Sequence, residues 1–165
     1  MRIELRARTP EDTRAVGEAV AALLEPRDAV AVAGELGAGK TTLVQGVALG
    51  LGVQDQVVSP TFTLVREYEG RLHLAHVDVY RLDRLQEVVD LGLEELGGGD
   101  AVLVVEWGDA IEALLPADHL SIELTVTDDS GESEDRHIVV EAGGGSWASR
   151  WERLESLLSP WGAAA

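Results

Sequence analysis

Four residues near the start of the chain have the types and spacing that bind a phosphate chain. Gly34, Gly39, Lys40 and Thr41 fill the pattern G-x-x-x-x-G-K-S/T within AVAVAGELGAGKTTLVQ, residues 29–45. Glycines let main-chain N–H groups point inward around phosphates, and the start of the following helix adds its positive dipole. The lysine would bridge the β- and γ-phosphates, while the threonine hydroxyl could ligate Mg²⁺. The loop alone does not say whether the phosphate is transferred, hydrolysed or used as a switch, and a chance glycine-rich turn is the competing interpretation.

The use of lysine in this chain supports a functional role for Lys40. Twelve of the 13 basic residues are arginines, and Lys40 is the only lysine. An ammonium is a compact point charge on a thin stem, whereas a planar guanidinium would not fit the same loop. We therefore interpret Lys40 as a phosphate contact.

Two acidic residues are candidates for the metal that accompanies such a phosphate chain. Glu106 ends the apolar run VLVVE (102–106) and should lie at the carboxyl end of a buried strand, where it can reach Mg²⁺ directly or through water. Asp78, inside HVDVYRL (76–82), is flanked by apolar residues and would be costly there without a partner. The alternatives are that Glu106 begins a loop and meets solvent, and that Asp78 forms an ordinary ion pair with Arg81.

The segments that must position these residues predict an α/β fold. Residues 10–24, PEDTRAVGEAVAALL, carry apolar residues at helical spacing, and residues 28–34, DAVAVAG, form a short apolar run that predicts a buried strand. The glycine-rich turn then opens a helix that ends near residues 50–52. This order of strand, loop and helix is the context that a phosphate-binding pattern requires.

The second half of the chain supplies further strands. TFTLVREYEG and RLHLAHVDVY alternate and meet at Glu69 and Gly70, which predicts a hairpin. AVLVVEW (101–107) is a continuous apolar run of the kind found in parallel sheets. We also predict a helix over 85–96, glycine turns at 97–100 and 143–145, an antiparallel pair in LSIELTVTD and RHIVVEA, and a closing helix in WASRWERLESLL.

We therefore expect a single domain over residues 1–165, built as a three-layer, P-loop NTPase-like mixed sheet with flanking helices and antiparallel hairpins. Residues 160–165 are expected to form a frayed tail. The chain has no cysteine, which excludes disulfides and thiolate zinc sites, and no apolar run approaches the roughly 20 residues that cross a bilayer. MRIELRARTP has no apolar run resembling a secretion signal, so the expected location is the cytoplasm.

The charge balance bears on partners. The formal net charge is −17, from 13 basic and 30 acidic residues. Such a charge repels phosphate backbones at long range and argues against unaided binding of nucleic acid. A strongly acidic surface that merely keeps the protein in solution is the simpler explanation, and choice of partner is the other. Any link to RNA would need a partner protein.

Five blocks of sequence together resemble one family. GELGAGKTT, VVSPTFTLVREYEG, HVDVYRLD, LGLEEL and VVEWGD occur in the order and at about the spacings of the TsaE-type ATPases, over about residues 9–155. The resemblance implies a small ATPase that uses ATP and Mg²⁺ and is required in bacteria for threonylcarbamoyl modification of adenosine 37 in tRNA. It also implies two partners, of the TsaD and TsaB types, the first of which carries the transferase chemistry. Phe62 and Glu35 stand where Tyr and Asp are common in the family, and neither change removes a group that the chemistry demands.

Carried onto this chain, the family pattern places ATP on the glycine-rich loop and Mg²⁺ on Thr41 and Glu106. The implied ATP-binding residues are Glu35, Leu36, Gly37, Ala38, Gly39, Lys40, Thr41 and Thr42, joined by Thr9, Thr13, Thr61, Trp107 and Arg136. The implied catalytic residues are Lys40, Asp78 and Glu106, with Asp78 as a polar switch residue.

Some of these implied roles have a simpler alternative. SPTF (59–62) would form a mobile segment facing the γ-phosphate, with Thr61 able to contact metal or phosphate, but its proline alone could set a turn there. Trp107 would pack over the site, or serve as an ordinary core aromatic. Thr9 and Thr13 match a position near the nucleotide base, although capping of the first helix explains one of them equally well.

Two other function classes compete with an ATPase that serves tRNA modification. A small-metabolite kinase of the shikimate-kinase type would fit the length and the loop, and a GTPase would fit the loop only. GTPases usually carry N-K-x-D to recognise guanine, and that form is excluded because Lys40 is the only lysine. A small kinase usually brings an arginine-rich lid, whereas only Arg136, Arg150 and Arg153 follow residue 84.

Overall fold

Seven strands form one mixed sheet in the computed structural model. The structure describes residues 1–59, 65–79, 90, 92, 95, 99–106, 115–130 and 132–163. Within them the strands are β1 Arg2–Ala7, β2 Ala29–Gly34, β3 Val65–Tyr68, β4 Leu74–Asp78, β5 Val102–Glu106, β6 His119–Val126 and β7 Arg136–Gly143. Their spatial order is β1-β7-β6-β2-β5-β4-β3.

The centre of the sheet is parallel and its margins are antiparallel. β2 pairs in parallel with both β5 and β6, and β4 pairs in parallel with β5. The hairpin of β3 and β4 and the ladders of β7 with β6 and β1 are antiparallel. This arrangement confirms the predicted mixed α/β fold, including the hairpin at Glu69 and Gly70 and the final antiparallel pair.

Helices flank this sheet. α1 spans Pro10–Ala21, α2 spans Lys40–Gly50, and α3 spans Trp151–Leu158 and continues into a 3-10 turn at Ser159–Trp161. Most of the helix predicted over 85–96 lies outside the described residues. In the part of the chain that is described, no helix is both long and apolar enough to cross a membrane.

The register of the parallel strands brings three candidate residues to one edge. In the β4–β5 ladder Asp78 lies opposite Glu106, and in the β2–β5 ladder Val32 lies opposite Glu106, two residues before β2 ends at Gly34. Ligands of open α/β sheets bind outside the carboxyl ends of the strands. The candidate acids and the glycine-rich loop therefore share the edge where a ligand is expected.

Strand alternation separates two hydrophobic cores, one on each face of the sheet. Leu74 and Val104 belong to the larger core, together with Leu43 and Val44 of α2. Residues one position away along the strands, such as Val105, belong to the smaller core on the other face. Because side chains two residues apart share a face, the side chains at positions 76, 78 and 106 lie on the same face as α2.

The sequence patterns did not predict strand β1, and the prediction for the C-terminal residues differs from the structure. β1 pairs with β7, more than a hundred residues away, so no local pattern reveals its partner. The expected frayed tail over 160–165 is wrong for its described part. Gly162 pairs with Leu5 of β1, and the Ala163 amide donates to the Glu4 carbonyl at 3.0 Å. The tail is held because it adds backbone hydrogen bonds to the outer edge of β1.

Two glycines allow α1 and α2 to approach closely. A Cβ atom built on Gly46 would lie 1.9 Å from the Arg14 carbonyl oxygen, and one on Gly17 would lie 2.3 Å from the Leu43 carbonyl oxygen. Real Cβ atoms do not approach backbone this closely. The two helices are therefore in backbone contact at these positions.

Gly46→Ala is expected to destabilise the protein, although alanine normally favours a helix by about 0.5–1 kcal/mol over glycine. Overpacking of a filled core typically costs about 1–3 kcal/mol, which corresponds to a fall in Tm of roughly 3–10 °C at this chain length. The matched control is Gly145→Ala, where an added Cβ meets nothing within 4 Å, and its Tm should not change. Thermal melts of the three proteins test this, and an unchanged Tm for Gly46→Ala would contradict the close helix contact.

Candidate functional site

The glycine-rich loop connects β2 to α2 in a conformation that glycine favours. Gly37 has φ +81° and Gly39 has φ +101°, a region in which side chains are rare. Gly39 is the residue from which α2 begins. The first N–H groups of a helix have no partner within it, and this end carries the positive dipole. The loop therefore presents donors and partial positive charge at the start of α2.

A cavity of about 400 Å³ opens at this loop. It brings together residues from the loop, from the start of α2, and from the segments at the ends of β4 and β5. Its lining residues are Leu36, Gly37, Gly39, Lys40, Thr41, Thr42, Ser59, Asp78 and Glu106. Except for Ser59, all of them are individually predicted site residues.

Lys40 is a buried cation in this cavity. Its side chain is only 6% exposed, and Nζ donates to the carbonyl oxygens of Gly34 at 2.7 Å and Glu35 at 2.9 Å. Burial lowers the pKa of the Lys40 ammonium, while the negative charges of Glu106 and Asp78 act in the opposite direction. The loop carbonyls thus hold the ammonium in the cavity beside two acids.

Glu106 is buried and connected to α2. It is 3% exposed, and its Oε1 atom accepts a hydrogen bond from Thr41 Oγ1 at 3.0 Å. The same oxygen lies 3.1 Å from Nε2 of His76. The alternative that Glu106 begins a loop and meets solvent is therefore wrong. The two residues predicted to hold metal, Thr41 and Glu106, are in direct contact.

Asp78 is half-buried at the end of β4 and lines the same cavity. Ser59 Oγ donates to its Oδ2 at 3.3 Å. The segment that precedes Ser59 is tied to α2, because Gln45 Nε2 donates to the Val57 carbonyl at 3.1 Å. Arg81, the alternative partner of Asp78, lies outside the described residues.

The remaining predicted residues occupy different positions. Arg136, at the start of β7, donates from Nε to the Ala38 carbonyl at 2.9 Å and from Nη2 to the Gly37 carbonyl at 3.3 Å. It therefore braces the loop through its carbonyl groups and is not among the residues that line the cavity. Thr9 caps α1 by accepting from the Asp12 amide at 3.1 Å.

Thr13 is buried beside the loop, and its Cγ2 lies 3.9 Å from where a Cβ on Gly39 would stand. Glu35 is exposed and contributes its carbonyl to Lys40. Thr61 and Trp107 lie outside the described residues, so their predicted roles stay predictions.

Comparison with known proteins decides the family. A family model described as "Threonylcarbamoyl adenosine biosynthesis protein TsaE" matches residues 7–138. The chain belongs to the TsaE family. This membership confirms the resemblance that the five sequence blocks indicated.

Individual TsaE relatives agree over most of the chain. A tRNA threonylcarbamoyladenosine biosynthesis protein TsaE from Treponema pallidum is 46% identical over 123 residues, which is 74% of this chain and 91% of the relative. The protein of the same name from Bacillus subtilis is 40% identical over 153 residues, 92% of this chain and 93% of the relative. The crystal structure of YdiB from Bacillus subtilis aligns with a TM-score of 0.76 at 37% identity, covering 97% of this chain and 95% of that one.

Two residues of this TsaE-family site escaped sequence reasoning. The sequence patterns include Ser59 only within SPTF (59–62) and assign no role to His76. The pattern H-x-D on a strand could have indicated His76, because residues two apart share a face. A histidine and two acids at the ends of adjacent parallel strands would then have suggested a connected polar group.

The donor set of the site suits a hard divalent cation bound together with phosphates. It combines a hydroxyl and carboxylates, the oxygen ligands that Mg²⁺ prefers. Among the residues that the structure describes, no three His, Asp or Glu side chains are arranged to hold a metal by themselves. Mg²⁺ usually uses one or two carboxylates and completes its coordination with water and substrate phosphates. Thr41 and Glu106 fit such a site.

Thr41→Val is expected to destabilise the nucleotide-free protein by about 1–2 kcal/mol, because it removes a donor from a buried carboxylate. Thr42→Val is the matched control, since the neighbouring hydroxyl makes no bond to Glu106 in the described structure. The free energy of unfolding measured in urea compares the two variants with the parent chain. Equal stability of both variants would show that the Thr41–Glu106 contact contributes nothing.

Proposed function

We propose that this chain is a P-loop ATPase that binds and hydrolyses ATP with Mg²⁺ and thereby supports threonylcarbamoyl modification of adenosine 37 in tRNA. One observation carries the proposal: the buried Lys40 and the contact of Thr41 with Glu106 meet in one cavity beside the glycine-rich loop. Membership of the TsaE family and the printed names of its relatives support the link to tRNA modification.

Each part of the site has a separate task in this proposal. The main-chain N–H groups of residues 35–42 and the Lys40 ammonium hold the phosphates, with Arg136 keeping the loop in shape through its carbonyl groups. Thr41 and Glu106 provide oxygen ligands for Mg²⁺, which would supply positive charge to the phosphates when bound. The adenine side of the nucleotide would approach Thr13.

Asp78 would act from the end of β4, in the cavity proposed to hold the phosphates. Its bond with Ser59 connects the end of β4 to the first residue of SPTF (59–62). Because Lys40, Asp78 and Glu106 line the same cavity, loss of the γ-phosphate would alter the surroundings of the Asp78–Ser59 bond. We therefore assign Asp78 to the chemical step or to the switch, and not to binding.

The contacts of two of the three arginines that follow residue 84 argue against the kinase alternative. A small kinase needs free arginines in a lid, but Arg136 already donates to loop carbonyls. Arg150 is buried and paired with Asp28 at 2.6 Å, far along the chain from the loop. Neither residue is available to enclose a phosphate acceptor.

The proposed partners are a TsaD-type transferase and a TsaB-type subunit, with the chain acting in the cytoplasm. With a formal net charge of −17, the isolated chain has little to attract tRNA. An acidic ATPase could dock where tRNA would otherwise lie on the transferase, and leave after hydrolysis. The partner, and not this chain, would then contact the tRNA.

Glu106→Gln and Asp78→Asn should separate metal binding from the later step. If Glu106 is a metal ligand, Glu106→Gln should raise the Mg²⁺ concentration needed for nucleotide binding by roughly 10-fold or more. Loss of a residue that only supports a metal ligand already lowers metal affinity by about that factor. Asp78→Asn should keep the parent's Mg²⁺ dependence and lower the rate of hydrolysis. Fluorescent ADP binding titrated with Mg²⁺, together with phosphate release, measures both effects. The reverse pattern would exchange the roles of the two acids and leave the ATPase assignment standing.

Lys40→Ala should lower hydrolysis by at least about 100-fold, the loss typical when one donor to a developing oxyanion is removed, and should also weaken assembly with the two partners. Assembly should depend on ATP because bound nucleotide would change the surfaces at SPTF (59–62) and Asp78, which the partners would recognise. Pull-down with and without ATP, with Arg153→Ala as an exposed basic control, measures assembly, and a separate assay measures tRNA binding. Tight tRNA binding by the chain alone, with no ATP-sensitive partner, would overturn the proposed role.

A further inference from the structure

His76 is an imidazole inside the hydrophobic core, beneath the candidate site. It lies on β4 and is 0% exposed. Its Nε2 atom is 3.1 Å from Oε1 of Glu106, which is itself almost fully buried. The function proposed above gives this contact no task.

The position of His76 follows from the sheet register. In the parallel β4–β5 ladder His76 lies opposite Val104, and Asp78 lies opposite Glu106. His76 therefore lies on the same face as Glu106, two residues nearer the start of the ladder, and Leu74 lies two residues nearer still. From there its ring reaches the carboxylate from the interior of the protein, on the side away from the cavity mouth.

Burial of an imidazole is costly unless its polar atoms find partners. An ionised carboxylate can only accept a hydrogen bond, so in this pair Nε2 donates. The other ring nitrogen, Nδ1, has no partner among the described residues. A leucine would fill a similar volume without an unpaired polar atom. The contact with Glu106 is therefore the feature of this position that an apolar residue could not supply.

Glu106 needs such a support. Its Oε1 accepts from both Thr41 and His76. Thr41 belongs to the proposed metal-ligand set, so the position of its hydroxyl would depend on the bound metal, although its single hydrogen could still be donated to Glu106. The ring of His76 is fully buried and makes no other hydrogen bond among the described residues. It is the group that can fix one carboxylate oxygen in every state of the site.

We propose that His76 is a positioning residue that fixes the carboxylate of Glu106 for Mg²⁺ through its Nε2–H group. This inference rests on the proposed function, because it assigns a support to the metal ligand of that same site. Partners of metal ligands orient them, and their loss typically costs about 10–100-fold in metal affinity or activity.

Two substitutions test the role of the donor. His76→Leu removes it at similar volume and should raise the Mg²⁺ concentration needed for fluorescent ADP binding by about 10-fold or more. His76→Gln places an amide N–H near the position of Nε2 and should restore the parent's Mg²⁺ dependence to within about 3-fold. Leu74→Val is the control, because this fully buried residue lies on the same strand and face but pairs with Val102, four residues before Glu106. It should lower Tm and leave the Mg²⁺ dependence unchanged.

A double-mutant cycle with Glu106→Gln separates positioning from general damage. In that background His76→Leu should weaken Mg²⁺-dependent binding by less than about 2-fold further, because the carboxylate that it supports is already gone. A merely structural role predicts the same added loss in both backgrounds. If His76→Leu does not fold, as judged by thermal melts, His76→Asn takes its place, because its shorter amide cannot reach Oε1.

The outcomes are distinct. Mg²⁺ dependence that is unchanged in His76→Leu, or an added loss that is equal in both backgrounds, overturns the positioning role and leaves the proposed ATPase intact. Absence of any Mg²⁺-dependent nucleotide binding in the parent chain overturns the proposed function, and this inference with it. A large loss with leucine, rescue by glutamine and no further loss in Glu106→Gln supports the role.

Discussion

The parallel pairing of β5 between β2 and β4 is the constraint on which the candidate site depends. Its register places Glu106 opposite Asp78 on one side and beside the end of β2 on the other. Because side chains alternate along a strand, a slip of one residue would turn Glu106 to the face opposite α2 and separate it from Thr41. The core residues of β5 are apolar on both faces, so the hydrophobic effect fixes the strand in the sheet, and its last residue carries the chemistry.

Electrostatics explains why one lysine matters in a chain with a formal charge of −17. Among the described residues that line the cavity, Lys40 is the cation, and it stands beside Asp78 and Glu106. The acids offset the cost of burying the ammonium, and the carbonyls of Gly34 and Glu35 bind it directly. A phosphate chain would therefore be attracted locally, by Lys40 and the loop N–H groups, within a protein that repels anions at a distance. Such a field fits a nucleotide with its cation better than a bare nucleic-acid backbone.

How much the sequence could predict depended on whether a feature is local. Short sequence patterns were enough to predict three features. These are the glycine-rich loop, the hairpin at Glu69 and Gly70, and the apolar strand that ends at Glu106. Strand β1 could not be, because its partner lies at the other end of the chain, and the tail at Gly162 is held by that same strand. The contact of His76 with Glu106 depends on the register of β4 against β5. No sequence pattern in the segment between these strands indicates that register. Family resemblance supplied the order of the blocks but not this contact.

The central claim is that a nucleotide and Mg²⁺ bind at the cavity formed by the glycine-rich loop, Thr41 and Glu106. The most direct test is a crystal structure of this chain grown with Mg²⁺ and a non-hydrolysable ATP analogue. The account predicts phosphates bound by the N–H groups of residues 35–42 and in contact with Lys40 Nζ. It also predicts a metal held by Thr41 Oγ1 and, directly or through water, by the Glu106 carboxylate. An empty loop in crystals that contain the analogue, or a metal held away from both Thr41 and Glu106, would contradict the account.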